Sequence, residues 1–83
     1  MAKVQIYTTR ICPYCVMAKR LLDMIDQDYE EIGVDGDYEQ RTWLVQTTGQ
    51  RTVPQIFIDG ESVGGYQELA ALHQKGELAK LLS

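Results

Sequence analysis

The feature that most constrains the fold of this chain is a strand-like segment followed directly by a helical pattern, with two cysteines where they meet. Val4–Thr8 alternates apolar and polar residues and is rich in β-formers, which predicts a strand. Residues 14–27 carry apolar side chains at helical spacing, and Pro13 falls in the first turn, where its missing N–H costs nothing. Residues 29–34 predict a second strand. This strand–helix–strand unit implies a parallel pair with a right-handed crossover.

The second half of the chain predicts a further helix, a hairpin and two closing helices. In order, these are a helix capped by Asp37 and Gln40 and ending near Gly49, a strand at 55–58, a turn at Asp59-Gly60, a returning strand at 61–63, a helix after Gly64-Gly65 and a helix at 77–82. The element order is therefore β-α-β-α-β-β-α, with the short helix at 77–82 closing the chain. We expect an α/β fold with a four-stranded mixed sheet flanked by helices.

The length and net charge of the chain limit the classes of function that it can have. A chain of 83 residues predicts a single domain spanning 1–83, which we expect to be a monomer. The net charge of −4, with no basic run, argues against nucleic acid and anionic membrane surfaces as partners. No stretch approaches the roughly 20 apolar residues of a membrane span, and the N-terminus lacks signal-peptide features. A cytoplasmic location is therefore expected, where a close cysteine pair is more often catalytic or metal-binding than structural.

The Cys12-Pro13-Tyr14-Cys15 segment predicts thiol–disulfide chemistry. Cys12 falls at the helix N-cap, where free N–H groups and the helix dipole favour the nucleophilic thiolate. Cys15 shares its helix face and can resolve a mixed disulfide. A zinc site would need about four ligands, whereas the chain adds only His73, so no metal is expected. Cys-x-x-Cys beside a β-α-β pattern favours the redox interpretation over inert core thiols.

Two other motifs each have a structural and a ligand-binding interpretation. Pro54 is ordinary at a strand entry, but the turn at 52–54 can also expose the backbone of Val53 to an extended peptide. Gly64-Gly65 is ordinary between a strand and a helix. The alternative is an anion site in which the first N–H groups of the helix, at residues 65–67, face a carboxylate.

Taken together, these motifs resemble the glutaredoxin family over nearly the whole chain, in particular its short bacterial dithiol members. The segments that carry the resemblance are Tyr7-Thr8, Cys12-Pro13-Tyr14-Cys15, Gly49, residues 52–60, Gly64-Gly65 and Glu68-Leu69. The resemblance implies a thioredoxin-like fold and a glutathione-dependent disulfide oxidoreductase. Glutathione is the implied cosubstrate, no cofactor is expected to be tightly bound, and glutathione reductase supplies electrons indirectly. Implied clients are disulfide-bearing or glutathionylated proteins, ribonucleotide reductase among them.

The resemblance also implies roles for individual residues. Cys12 is the implied nucleophile and Cys15 the resolving thiol. The implied glutathione-binding residues are Arg10, Tyr14, Arg41, Gln50, Arg51, Thr52, Val53, Pro54, Gly65, Tyr66, Gln67 and Glu68. Among these, Val53 would pair with the glutathione backbone, and Pro54 is the expected cis proline. Residues 65–67 would hold the γ-glutamyl carboxylate, and Arg41 with Gln50 or Arg51 the glycine carboxylate.

Two positions depart from the family pattern. Many members carry Lys where this chain has Thr9, and Arg10 is the neighbouring candidate for that charge. Many carry Asp where this chain has Gln67, with Glu68 the candidate replacement. The two alternative functions are a thioredoxin-reductase-linked donor to ribonucleotide reductase and a carrier of a [2Fe–2S] cluster. The former usually has a Trp-Ser-Gly-Phe-Arg-Pro segment that is absent here, and Pro13 and Cys15 disfavour the latter.

Overall fold

The computed structural model describes residues 2–83 and contains one mixed β-sheet. Its strands are β1 (Val4–Thr8), β2 (Glu30–Gly33), β3 (Gln55–Ile58) and β4 (Glu61–Gly64), in the spatial order β2-β1-β3-β4. The pair β1·β2 is parallel, whereas β1·β3 and β3·β4 are antiparallel. The predicted four-stranded mixed sheet is confirmed, and the hairpin turn has positive φ at both Asp59 and Gly60, as a two-residue turn of type I′ requires.

Within residues 2–83, four helices flank the sheet: α1 (Pro13–Met24), α2 (Tyr38–Thr48), α3 (Tyr66–Gln74) and α4 (Glu77–Leu82). The caps predicted for α2 are present, since the Asp37 side chain accepts the Gln40 N–H and Gly49 is left-handed with φ 75°. Helix α1 ends earlier than predicted. Asp26 is left-handed there, and the Gln27 N–H bonds back to the Leu22 carbonyl at 2.9 Å, which closes the helix.

The two faces of the sheet bury two separate apolar clusters. Because side chains alternate along a strand, Ile6 and Ile56 face one side while Tyr7 and Phe57 face the other. The larger cluster lies under α1, α3 and α4 and consists of Val4, Ile6, Ala18, Leu21, Leu22, Ile56, Ile58, Leu69 and Leu78. The smaller lies under α2 and consists of Tyr7, Val34, Leu44 and Phe57. The polar end of β1, which leads into the cysteine motif, is thus supported from both sides.

A cluster of aromatic side chains packs α2 against the sheet. The rings of Tyr7 and Phe57 meet edge to face at 5.5 Å, and Trp43 stacks on Phe57 at 5.7 Å. Trp43 keeps 42% of its surface exposed. Burial, and secondarily the Glu30 carboxylate, raise the pKa of Tyr7 above its ordinary 10.0.

A polar contact joins β1, β2 and α1 at the end of the sheet that carries the cysteines. The buried Thr8 hydroxyl donates to Glu31 Oε2 at 2.8 Å, and the Lys19 ammonium donates to the same oxygen at 3.0 Å. These two hydrogen bonds, in that order of size, lower the pKa of Glu31 below its ordinary 4.5. Within residues 2–83, no helix is long and apolar enough to cross a membrane.

Replacing Glu31 with Gln is expected to cost stability at pH 7 and to cost progressively less as the solution is acidified. A carboxyl whose pKa is lower in the folded chain stabilises the fold above about pH 4.5, and that contribution is lost as the pH falls through the folded-state value. Because the pair is partly exposed, the pH 7 effect should stay below about 1 kcal/mol. Urea unfolding followed by Trp43 fluorescence between pH 3 and pH 7 measures it. Glu30→Gln is the matched control, and an equal pH profile in both variants contradicts the prediction.

Candidate active site

The two cysteines lie at the start of α1, Cys12 just before the helix and Cys15 in its first turn, and they are joined in a disulfide. Cys12 is the N-cap of α1, with extended backbone angles (φ −152°, ψ 97°), and Pro13 begins the helix. The Cys15 N–H donates to Cys12 Sγ at 3.1 Å. The predicted N-cap placement is therefore confirmed. When the disulfide is reduced, the same N–H favours a thiolate on Cys12 because it donates to the sulfur that carries the charge.

Burial distinguishes the two sulfurs. Cys15 is 1% exposed and packs beneath the start of α1, whereas Cys12 is only partly buried. An incoming disulfide can therefore reach Cys12 but not Cys15 while α1 is folded. This asymmetry supports Cys12 as the attacking sulfur and Cys15 as the internal one that acts after a mixed disulfide has formed.

The loop before β3 approaches Cys12 from the other side. The Val53–Pro54 peptide bond is cis, and the Val53 carbonyl oxygen lies 3.6 Å from Cys12 Sγ. Because the disulfide sulfur carries no proton, this is a packing contact rather than a hydrogen bond in the oxidised state. Val53 is partly buried and Pro54 is buried. The backbone of residue 53 thus forms one wall beside the reactive sulfur.

Gln55 holds this loop and was not among the residues predicted from the sequence. Its side chain is 4% exposed, and its Nε2 donates to the carbonyls of Gln50 at 2.9 Å and Thr52 at 3.0 Å. A buried amide that satisfies two loop carbonyls limits the positions the loop can take. The sequence does show a polar residue at the start of the otherwise apolar β3. The hydrogen-bond partners of that residue, however, depend on how the loop folds.

The third part of the site is the start of α3. Gly65 is the N-cap, and its N–H donates to Glu68 Oε1 at 2.7 Å. The expectation that the N–H groups of residues 65–67 all face a ligand carboxylate therefore needs correction at Gly65, whose N–H is occupied by the helix's own Glu68. The N–H groups of Tyr66 and Gln67 begin the helix and have no intrahelical acceptor. A Cβ on Gly65 would lie 3.2 Å from the Pro54 carbonyl oxygen, so a side chain there would crowd the loop.

Two adjoining hollows meet at Val53, next to Cys12. One, of about 220 Å³, is lined by Tyr14, Thr52, Val53, Pro54, Gly65, Tyr66, Gln67 and Glu68. Tyr14 and Tyr66 stack across it, with ring centroids 6.1 Å apart. The other, of about 510 Å³, lies beside α2, and its lining includes Arg41, Gln50, Arg51 and Val53. Together they form a groove with two guanidinium groups at one end and a helix start with a carboxylate at the other.

The structure thus brings together all of the predicted ligand residues except Arg10. Arg10 lines neither hollow and is exposed, while its backbone N–H donates to Asp35 Oδ2 at 2.9 Å. Arg41 and Arg51 are the cations that face the groove instead. In the portion of the chain described, residues 2–83, no three His, Cys, Asp or Glu side chains gather as a metal site.

Comparisons with known proteins agree with this arrangement. The family model described as glutaredoxin matches residues 4–63. The chain is 44% identical over 82 residues to glutaredoxin 3 of Escherichia coli K12, covering 99% of each chain. It is 48% identical over 83 residues to a glutaredoxin of Pseudomonas aeruginosa PAO1, covering 100% of this chain and 99% of that one. The crystal structure of the buckwheat glutaredoxin–glutathione complex superposes with a TM-score of 0.89 at 33% identity, covering 95% of this chain and 74% of that one.

Proposed function

The chain belongs to the glutaredoxin family, and we propose that it is a glutathione-dependent oxidoreductase that reduces protein disulfides and glutathione mixed disulfides through Cys12 and Cys15. The observation that carries this proposal is the contact of Cys12 Sγ, at 3.6 Å, with the carbonyl oxygen of Val53, the residue that both hollows share. A tripeptide that filled both would place its own central sulfur against the accessible sulfur of the pair.

The charges of the groove match the two ends of glutathione. The glycine carboxylate would bind at Arg41, with Gln50 or Arg51 beside it. At the other end, the γ-glutamyl carboxylate would accept from the N–H groups of Tyr66 and Gln67, while Glu68 attracts the neighbouring ammonium. The remaining wall residues Tyr14, Thr52, Val53 and Pro54 would contact the peptide between these ends. Arg10 would then contribute only long-range attraction.

The reaction consists of thiol–disulfide exchanges. The Cys12 thiolate attacks the glutathione sulfur of a mixed disulfide, the client thiolate leaves, and Cys12 carries glutathione. The thiolate of a second glutathione then attacks the sulfur of the glutathione bound to Cys12. This step releases glutathione disulfide and restores the Cys12 thiolate. With a protein disulfide, Cys12 forms a mixed disulfide with the client. The Cys15 thiolate then attacks Cys12, expels the second client thiolate and closes the Cys12–Cys15 disulfide, which two glutathione molecules reduce.

The test is NADPH consumption with the glutathione mixed disulfide of 2-mercaptoethanol as substrate. We expect fast turnover with glutathione and glutathione reductase, and none with thioredoxin reductase alone. Turnover only with thioredoxin reductase would overturn the glutathione groove and favour the donor linked to that enzyme. Absence of turnover in both systems, together with visible absorption in anaerobically purified protein, would instead support the [2Fe–2S] carrier.

The setting of this activity is also a proposal. Cycling of Cys12 and Cys15 by glutathione needs a reducing compartment, which supports a cytoplasmic location. Clients would be disulfide-bearing or glutathionylated proteins, with ribonucleotide reductase as a candidate. We propose a monomer whose residues 1–83 act as one domain, with glutathione as a passing substrate rather than a resident cofactor. Sedimentation of the reduced protein tests the oligomeric state.

A further inference from the structure

A single buried amide lies beneath the loop that lines both hollows. This loop, residues 50–54, contributes to each hollow, and Val53 lines the two of them. Gln55 is 4% exposed, and its Nε2 donates to the carbonyl oxygens of Gln50 and Thr52 at 2.9 and 3.0 Å. A side-chain amide nitrogen has two N–H donors, and a carbonyl oxygen only accepts. Both donors of Gln55 are therefore used to fix the loop.

The points to which the loop is tied belong to the sheet and to a helix. Gln55 pairs with Tyr7 between β3 and β1, and its side chain lies on the face of the sheet that α2 covers, as that of Phe57 does two residues on. At the other end of the loop, the Thr48 hydroxyl in the last turn of α2 accepts the Gln50 N–H at 3.1 Å. The loop is therefore held by a strand on one side and by a helix on the other.

These hydrogen bonds decide which backbone groups of the loop remain free. The N–H and carbonyl of Gln50 and the carbonyl of Thr52 are occupied within the protein. In the part of the chain that the structure describes, residues 2–83, the backbone of Arg51 and the N–H of Val53 make no hydrogen bond, and the Val53 carbonyl meets only Cys12 Sγ. A ligand can pair only with backbone groups that the fold leaves open. Residues 51 and 53 are therefore the ones available to it.

The position of the Arg51 guanidinium depends on the same loop. Arg51 is exposed and lines the larger hollow. Among residues 2–83 the one ion pair joins Lys19 to Glu31, so no carboxylate of the protein holds Arg51. Arg41, the other cation of this hollow, projects from α2, and the helix determines where its side chain begins. Release of the loop would therefore displace Arg51 and leave Arg41 in place.

We infer that Gln55 is a positioning residue for the glutathione moiety, because it holds the carbonyls of residues 50 and 52 inward and so makes Arg51 and Val53 the loop residues that meet the ligand. The inference rests on the proposed glutathione-dependent function. Gln55 lines neither hollow, so it acts through the loop and not by contact. The Cys12 sulfur, by contrast, accepts its hydrogen bond from the first turn of α1. Replacing Gln55 should therefore weaken glutathione binding far more than it slows the exchange step.

The test compares two replacements of Gln55. Gln55→Glu keeps the shape of the side chain and sets a carboxylate oxygen against the two carbonyls, whereas Gln55→Met keeps its length without any donor. In both variants we expect the Kd of S-methyl glutathione and the KM for the mixed disulfide of 2-mercaptoethanol to rise about tenfold, which corresponds to about 1.4 kcal/mol. The kcat at saturating substrate should stay within about threefold of the parent value. Titration calorimetry and the glutathione-coupled NADPH assay supply these values.

The comparison of KM with kcat separates positioning from a merely structural role. Loss of folded protein lowers the apparent kcat per mole of total protein and leaves KM unchanged. Leu78→Val is the matched control, because Leu78 is fully buried in the larger cluster, on the opposite face of the sheet from the loop. It should lower the free energy of unfolding without changing KM. An unchanged Kd and KM in Gln55→Met would overturn the inference.

A double-mutant cycle tests whether Gln55 acts through Arg51. Arg51→Ala should weaken S-methyl glutathione binding about threefold in the parent and hardly at all in Gln55→Met, where the guanidinium has already lost its position. Arg41→Ala should keep its full effect in both backgrounds, since α2 holds that side chain. Equal effects of Arg51→Ala in the two backgrounds would also overturn the inference. Failure of the parent to turn over the mixed disulfide with glutathione and glutathione reductase would instead refute the proposed function.

Discussion

Cys12→Ser is expected to abolish turnover of both small and protein disulfides, with a fall of at least about 1,000-fold in kcat/KM, because it removes the nucleophile. The hydroxyl of serine is not ionised near neutral pH and does not form a disulfide with a substrate. The remaining Cys15 is 1% exposed beneath the first turn of α1 and cannot reach an incoming disulfide. The glutathione-coupled NADPH assay measures the loss.

Two further measurements make this prediction specific. Binding of a non-reacting S-methyl derivative of glutathione should persist in Cys12→Ser, since the groove is lined by other residues. Compared with the reduced parent, the unfolding midpoint should change little because Cys12 lies at a helix cap, and serine is a good N-cap residue. Appreciable turnover in the variant would contradict the assignment of Cys12 and point to Cys15 becoming accessible.

Cys15→Ser is expected to separate the two reactions. Reduction of a protein disulfide should fall by at least about 100-fold, because no internal thiol remains to expel the client from its mixed disulfide with Cys12. Reduction of the small glutathione mixed disulfide should persist within a few-fold, since a second glutathione molecule releases the product. The readouts are insulin disulfide reduction and the NADPH assay with the mixed disulfide of 2-mercaptoethanol.

Because Cys15 is buried, its replacement needs a matched variant. Serine brings a hydroxyl into a buried position, whereas Cys15→Ala leaves no polar group there. Both variants should show the same loss on insulin if the missing sulfur is the cause. If only one does, packing rather than chemistry explains the effect, and equal retention of both reactions would refute the resolving role of Cys15.

Features that depend on neighbours in sequence could be predicted without the structure. The strands Val4–Thr8 and Gln55–Ile58 and the last helix Glu77–Leu82 follow from local apolar patterns. The N-cap position of Cys12 follows because Pro13 marks a helix start. Asp37 and Gly49 cap α2 as their types and spacing predict. The β-α-β-α-β-β-α order is then compatible with few sheet topologies, because the crossover between the parallel strands has a fixed hand.

Features that join distant segments were decided only by the tertiary structure. The resemblance to a family identified most of the groove residues, but it did not show that Arg10 lies outside the groove or that Glu68 occupies the Gly65 N–H. Gln55 was missed because its acceptors become available only when the 50–54 loop folds back over β3. Local sequence determines which backbone conformation a segment prefers. Which polar groups remain free for a ligand depends on how packed segments compete for the same hydrogen bonds.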